Sequence, residues 1–284
     1  MARKFYLENE KGEQFELNDR EYCVLTDPQG LGFGNEMDFI LIGDTFRASK
    51  KVVKQQKFDG VINFMKPDHY NKYRVFTDYV LASKTLELIY EPKENEQYLR
   101  GVEIGGIKKG EIDNKDSILK CPIELYFETL YYKKSQSRYE IQANANGVSY
   151  PYQLPAQYND SSRSEVGFDN DGQTNAAIVF EYHGIAQNPT IDICNSANEE
   201  VFSLRLTDFL AAGEKIRYSS IDDNLYITKV DASGNETNII DSFTDLTQQL
   251  FFKVPRGFHT IRFRKDDVNN SFAVLYTFRY YRAV

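Results

Sequence analysis

The chain has 284 residues, longer than a usual compact domain, and 41% of them are apolar, so two domains of roughly 100–150 residues with real cores are expected. A formal charge of −8 argues against nucleic-acid binding through neutralised phosphates, and the lack of any run of about 20 apolar residues excludes a membrane-spanning helix. Met1-Ala2-Arg3-Lys4-Phe5 does not lead into an apolar signal core, because Glu8, Glu10 and Lys11 interrupt it, and a soluble product is expected.

The 20 Tyr and 20 Phe suit a pleated, half-buried surface better than a helix. Cys23, Cys121 and Cys194 are odd in number and far apart. They fit neither a disulfide framework nor a Cys-x-x-Cys site, and point to synthesis in a reducing cytosol.

In chain order, Phe5 to Asn9 and Gln14 to Asn18 read as a hairpin, with Tyr6, Phe15 and Leu17 at alternating positions and Lys11-Gly12 supplying the turn. The stretch Asp27-Pro28-Gln29-Gly30-Leu31-Gly32-Phe33-Gly34 is too rich in Gly for a helix. It leads into a strand from Asp38 to Phe46, and a further apolar alternation runs from Val52 to Phe64. One helix is expected from about Tyr70 to Ala82, with Pro67 in its first turn, Asp68 at its N-terminal end, and Tyr70, Tyr73, Thr77, Val80 and Leu81 on its apolar face. Strands resume at Leu86 to Tyr90, Tyr98 to Ile104, Gly106-Ile107 and Ile118 to Tyr132. Residues 142–157 turn to Asn, Ala, Gly, Ser, Pro and Tyr and form the candidate boundary. Beyond them come about nine short strands separated by turn chemistry, as in a β-sandwich.

The order Tyr6-Leu7-Glu8-Asn9-Glu10-Lys11-Gly12-Glu13, then Asp27-Pro28-Gln29-Gly30-Leu31-Gly32-Phe33, then an apolar strand resembles the N-terminal module of distal tail proteins. These belong to long, non-contractile-tailed (siphovirus-type) bacteriophages and prophages. The helix with Tyr70, Tyr73 and Phe76, the runs Leu86-Glu87-Leu88-Ile89-Tyr90 and Ile107-Lys108-Lys109-Gly110-Glu111-Ile112, and Leu119-Lys120-Cys121-Pro122-Ile123 leading to Leu130-Tyr131-Tyr132 continue the likeness over residues 4 to 135. In the second half, Phe251 to Phe263 is similar to the strand, turn, strand ending of the family's carbohydrate-module-like sandwich.

The resemblance implies a mainly β chain of two β-rich modules. Residues 1–141 would be a β-sandwich-like ring-forming tail domain with one helix, and residues 142–284 a galectin- or carbohydrate-module-like β-sandwich. The last strand, ending Tyr276-Thr277-Phe278-Arg279-Tyr280-Tyr281, either closes the second sandwich or passes back to the first module. The implied role is that of a structural virion protein made in the host cytoplasm: a distal tail or baseplate hub whose homo-hexameric ring joins the tail tube to the adsorption apparatus. Implied partners are further copies of itself, the tail tube protein and a tail-tip or tail-associated protein. The alternative is an adhesion module that binds a cell-wall saccharide or docks a receptor-binding protein. A wall hydrolase is the least favoured reading, and no cofactor or metal is implied.

The chemistry in the residues agrees with that ranking. Gly30-x-Gly32-x-Gly34 precedes a strand, whereas a phosphate cradle needs a helix N-terminus. The glycines therefore signal special backbone angles or close approach. Leu31 and Phe33, held in that side-chain-poor loop, are either core residues or the subunit contact of the ring. Asp169-Asn170-Asp171-Gly172 lacks the carboxylates of a calcium loop at Gly167 and Ile178. His69, His183 and His259 lie beside no nucleophile motif, and Asp222-Asp223 and Asp266-Asp267 read as solvated loop pairs. The chain has no Trp on which to stack a sugar, and His183, His259 and Arg262 do not recreate the galectin polar motif. Lys50, Lys51, Lys54 and Lys57 read as a protective strand edge.

Overall fold

In a computed structural model, residues 3–112, 117–141, 163–207, 209–242, 250–266 and 269–284 are described. The candidate boundary at residues 142–157 lies outside them. The chain divides into two compact units, Met1–Lys133 with Tyr281–Val284, and Lys134–Tyr280. Almost all regular structure is β.

The first unit contains β1 (Lys4–Asn9), β2 (Gln14–Glu16), β3 (Cys23–Gln29), β4 (Asn35–Ile42), β5 (Thr45–Val53), β6 (Lys57–Phe64), α1 (His69–Ala82), β7 (Leu86–Lys93), β8 (Glu96–Ile107) and β9 (Leu119–Phe127), and the start of β10 (Tyr131–Ile141). Antiparallel pairing runs β2-β1-β7-β8-β9-β6-β3. The first hairpin turns where Gly12 takes φ +77° and the Asn9 side chain accepts the N–H groups of Lys11 and Glu13. Its inward residues are Phe5 and Leu7, both essentially fully buried, so Tyr6 lies on the opposite face from the one the alternation suggested. Leu7 pairs with Phe15, and Leu17 is buried just beyond β2.

The helix departs from expectation at both its start and its face. Pro67 precedes the N-cap Asp68 and lies outside the first turn, and the Asp68 side chain makes no capping bond. The buried residues are Phe76 and Val80, with Tyr73 and Tyr79 half-buried beside them, whereas Tyr70 and Leu81 face out. The larger rings decide the rotation: Phe76 packs on Phe15 and Phe64, and Tyr73 on Phe64. Tyr79 donates its hydroxyl to the carbonyls of Leu7 and Glu13, pinning the helix to the first hairpin. Burying a side chain such as Phe76 contributes roughly 1.5–3 kcal/mol.

The last four residues, Tyr281–Val284, belong to this unit. The Tyr281 ring meets Tyr98 edge-on at 5.2 Å, and the Lys133 ammonium sits 4.3 Å from the Tyr98 ring centre and 5.4 Å from that of Tyr281. Glu96 ties this cluster together, taking bonds from Lys133 at 2.7 Å, Lys93 at 2.9 Å and the Tyr98 hydroxyl at 2.9 Å. These donors pull its carboxyl down to about 2. A folded value below the unfolded one, near ~4.3, makes the stabilisation complete above about pH 5 and drains it as pH falls toward 2. From pH 5 to pH 3 the thermal midpoint of the wild type is therefore expected to fall further than that of Glu96→Gln. Equal slopes in thermal scans across that window would remove the assignment.

The second unit holds the rest of β10 and β11 (Arg163–Asn170), β12 (Ala177–Gly184), β13 (Ala186–Gln187), β14 (Thr190–Cys194), β15 (Glu200–Arg205), β16 (Phe209–Leu210), β17 (Lys215–Ile221), β18 (Asn224–Val230), β19 (Glu236–Asn238), β20 (Gly257–Arg264) and β21 (Ser271–Tyr281), whose final residue passes to the first unit. One layer runs β19-β18-β17-β12-β21-β10 and the other β11-β20-β14-β15. Their inner faces share one core, in which Phe180 stacks on Tyr218 and meets Phe263 of the other layer edge-on. This is the packing of a β-sandwich.

Candidate assembly surface

Strand β3 ends at an irregularity in its pairing with β6, between Thr26 and Gln29, and Gly30 follows with φ +95°. A Cβ on Gly30 would stand 2.2 Å from the Lys57 carbonyl oxygen, so the chain passes against the β6 backbone where only glycine fits. Gly32 faces open space, and Gly34 meets nothing nearer than 3.9 Å. Of the three glycines, one is required by contact.

The loop separates Leu31 from Phe33, the two residues that stand out in its sequence. Leu31 is half-buried against the core of the first unit, and its carbonyl accepts the Val284 N–H at 3.2 Å. Phe33 is 61% exposed and stands at the root of a hairpin.

That hairpin replaces the single strand expected from Asp38 to Phe46. Strands β4 and β5 pair from Asn35↔Val53 to Ile42↔Thr45 around Gly43-Asp44, with Gly43 at φ +61°. The Lys54 N–H donates to the Gly34 carbonyl and closes the root. The two strands form a sheet of their own, joined to no other strand among the described residues. The sequence did carry a signal for this: a Gly-Asp pair between two β-prone runs marks a two-residue hairpin turn.

Register fixes which side chains share a face. Met37, Phe39 and Leu41 lie on one face with their partners Lys51, Ala48 and Phe46, and Val53 joins them at the root. Ser49 is the extra residue at the irregularity, and its hydroxyl donates to the Asp38 carbonyl. The opposite face is mixed, with Glu36, Asp38, Arg47 and Lys50 beside Ile40, Ile42 and Val52. Met37, Phe39, Ile40, Leu41, Ile42, Phe46, Val52 and Val53 are all exposed, up to 71% at Phe46. A two-stranded ribbon is marginal in water by itself, and an exposed apolar ribbon invites pairing. Lys50 and Lys51 of the basic run sit on β5, while Lys57 is engaged by Glu124 at 3.0 Å and Asp59 at 3.3 Å.

The groups weighed for chemistry are scattered. His69 bonds the Ser117 carbonyl, His259 is buried with its ring against the Gly257 carbonyl, and His183 sits beside Glu181. Asp222 meets Lys253 and Asp266 meets Arg205, both at 2.5 Å; Asp267 lies outside the described residues. Asn170 of the calcium-like stretch turns inward, its amide donating to the carbonyls of Thr174, Val254 and Pro255. Among the described residues no cluster of three His, Cys, Asp or Glu is placed to hold a metal ion, and no helix is long and apolar enough to cross a membrane. On the second unit, His183 stacks flat on Phe272 at 4.6 Å, and the Arg138 guanidinium lies 3.8 Å from the centre of the same ring.

Residues 4–128 match the family model described as distal tail protein, N-terminal domain. That match places the N-terminal part of the chain with the N-terminal domain of distal tail proteins. The likeness of fold to solved structures extends beyond those residues. The structure is similar to that of a chain in the phage P2 baseplate in its activated conformation with Ca, at 12% identity and TM-score 0.65, with 100% of both chains covered. It is also similar to the SPP1 Dit protein, described as a paradigm of the hub adsorption apparatus in phages infecting Gram-positive hosts, at 11% identity and TM-score 0.59, covering 96% of this chain and 98% of that one. At such identities the likeness is one of fold. No curated protein sequence matches the chain.

Proposed function

We propose that this chain is a distal tail protein, a structural component of the virion, that assembles into a homo-hexameric ring joining the tail tube to the adsorption apparatus, with the β4–β5 hairpin as the arm by which each copy grips the next. The observation that carries the reading is the hairpin itself, a ribbon whose apolar face of Met37, Phe39, Leu41, Phe46 and Val53 has no cover within its own chain among the described residues. A closed cyclic arrangement lets one pair of surfaces serve every contact. Phe33 at the hairpin root belongs to the contact, and Leu31 anchors that root to the core. The tail tube and tail-tip proteins would meet the two ends of the ring.

The second unit, read as galectin-like, docks a receptor-binding protein in this proposal. Stacking a sugar needs a free aromatic face, and Phe272 has one face against His183 and the Arg138 guanidinium over the ring. That geometry takes Phe272 out of the candidates for a stacked sugar. Purified full-length chain is expected to show six-fold rings in negative-stain images and six chain masses by light scattering. A monodisperse monomer at every concentration tested would count against the ring.

A further inference from the structure

A head-to-tail ring needs two different surfaces on each subunit, one that gives and one that receives. The hairpin gives. Among the described residues of the first unit, the large exposed apolar side chains outside the hairpin and Phe33 are Tyr70, Val75, Leu81 and Tyr126. Tyr126 has its hydroxyl on Glu124, and a Lys109 ammonium sits 4.6 Å from the ring centre of Tyr70. Val75 and Leu81 remain, on the outer side of α1, opposite the buried Phe76 and Val80. At 83% exposure, Leu81 is the most exposed large apolar residue described in the chain.

We propose that the outer side of α1 receives the apolar face of the hairpin from the neighbouring copy. The proposal rests on the ring reading and names its acceptor. Val75, Asp78 and Leu81 follow one another at three-residue spacing and form a single ridge on the helix, about 9 Å long. The hairpin face presents the row Met37, Phe39, Leu41 at about 7 Å per step, so two steps of that row bracket the ridge. Charge agrees with shape. The central ridge residue is a carboxylate, Asp78, and the one cation among the apolar pairs of the hairpin face is Lys51, opposite Met37.

Cross-linking the full chain tests the pairing. The native thiols Cys23, Cys121 and Cys194 are buried, so Phe39→Cys combined with Leu81→Cys adds two accessible thiols. A short bis-maleimide is expected to link the double variant into a ladder reaching six chains on a denaturing gel, while each single variant gives no ladder. Independently, Leu81→Asp is expected to raise the concentration needed for assembly at least tenfold without moving the thermal midpoint, because Leu81 contributes little to its own fold. Six-chain mass in solution without a ladder, together with an unchanged Leu81→Asp assembly, would overturn the acceptor and leave the ring standing. A monomeric wild type would overturn both.

Discussion

Phe39→Asp combined with Leu41→Asp is expected to turn the assembled protein into a folded monomer. The two side chains are 57% and 61% exposed in the isolated chain, so they contribute little to its folding, and such surface changes typically stay within about 0.5 kcal/mol. Association is another matter. Covering each apolar side chain contributes about 1–2 kcal/mol, and a carboxylate trapped in the same contact adds a desolvation cost of similar size. The sum over the two positions at each contact is about 4–8 kcal/mol, or roughly a thousandfold or more in affinity at ~1.4 kcal/mol per tenfold. Light-scattering mass against concentration reads the loss, and circular dichroism with a thermal scan verifies the fold. The opposite face supplies the control: Ile40→Asp with Ile42→Asp alters residues already among Glu36, Asp38, Arg47 and Lys50, and is expected to weaken assembly less. Equal effects from the two faces would show that apolar content and not register governs the contact.

The same hairpin marks where sequence reasoning stops short. Alternation and turn chemistry locate the first hairpin, the helix and most strands of the second unit, because each of these has one face on a core and the apolar pattern follows it. Leu41 and Ile42 read as the middle of one strand because a run of apolar residues carries no face information. The turn at Gly43-Asp44 is hidden inside it. The buried face of the helix escapes the sequence for a related reason: Leu81 and Phe76 are equally apolar, and only the fit of Phe76 against Phe15 and Phe64 decides which one turns inward. Leu31 and Phe33 form a pair by spacing alone. They diverge because Gly30 sets Leu31 against the core, while Phe33 leaves with the hairpin root. The return of the last residues to the first unit rests on Lys133, Glu96 and Tyr98, which meet Tyr281 or one another only in three dimensions.

Gly30→Ala is expected to be the most damaging single methyl in the loop, and Gly32→Ala the most harmless. At Gly30 the added Cβ would meet the Lys57 carbonyl oxygen at 2.2 Å, its carbon at 3.0 Å and the Phe58 Cα at 3.1 Å, all of them backbone. Strand β6 has no room to retreat, since it is paired with β3 on one side and β9 on the other, and Phe58 is fully buried. The positive φ adds roughly 1–2 kcal/mol of strain for a residue with a Cβ. Together these predict a loss of about 3 kcal/mol or more, in the range that backbone conflicts reach. At Gly32 there is no such angle and no neighbour within 4 Å, so the smaller entropy of the unfolded chain dominates, worth about 0.4–1 kcal/mol in the stabilising direction. Denaturant midpoints should therefore move in opposite directions. If both variants shifted by less than about 0.5 kcal/mol, the close approach at Gly30 would not be what holds the hairpin root. If they diverge as expected, the loop is a rigid mount that fixes Phe33 and the arm beyond it relative to β6, and assembly should weaken in Gly30→Ala even though no interface residue has been changed.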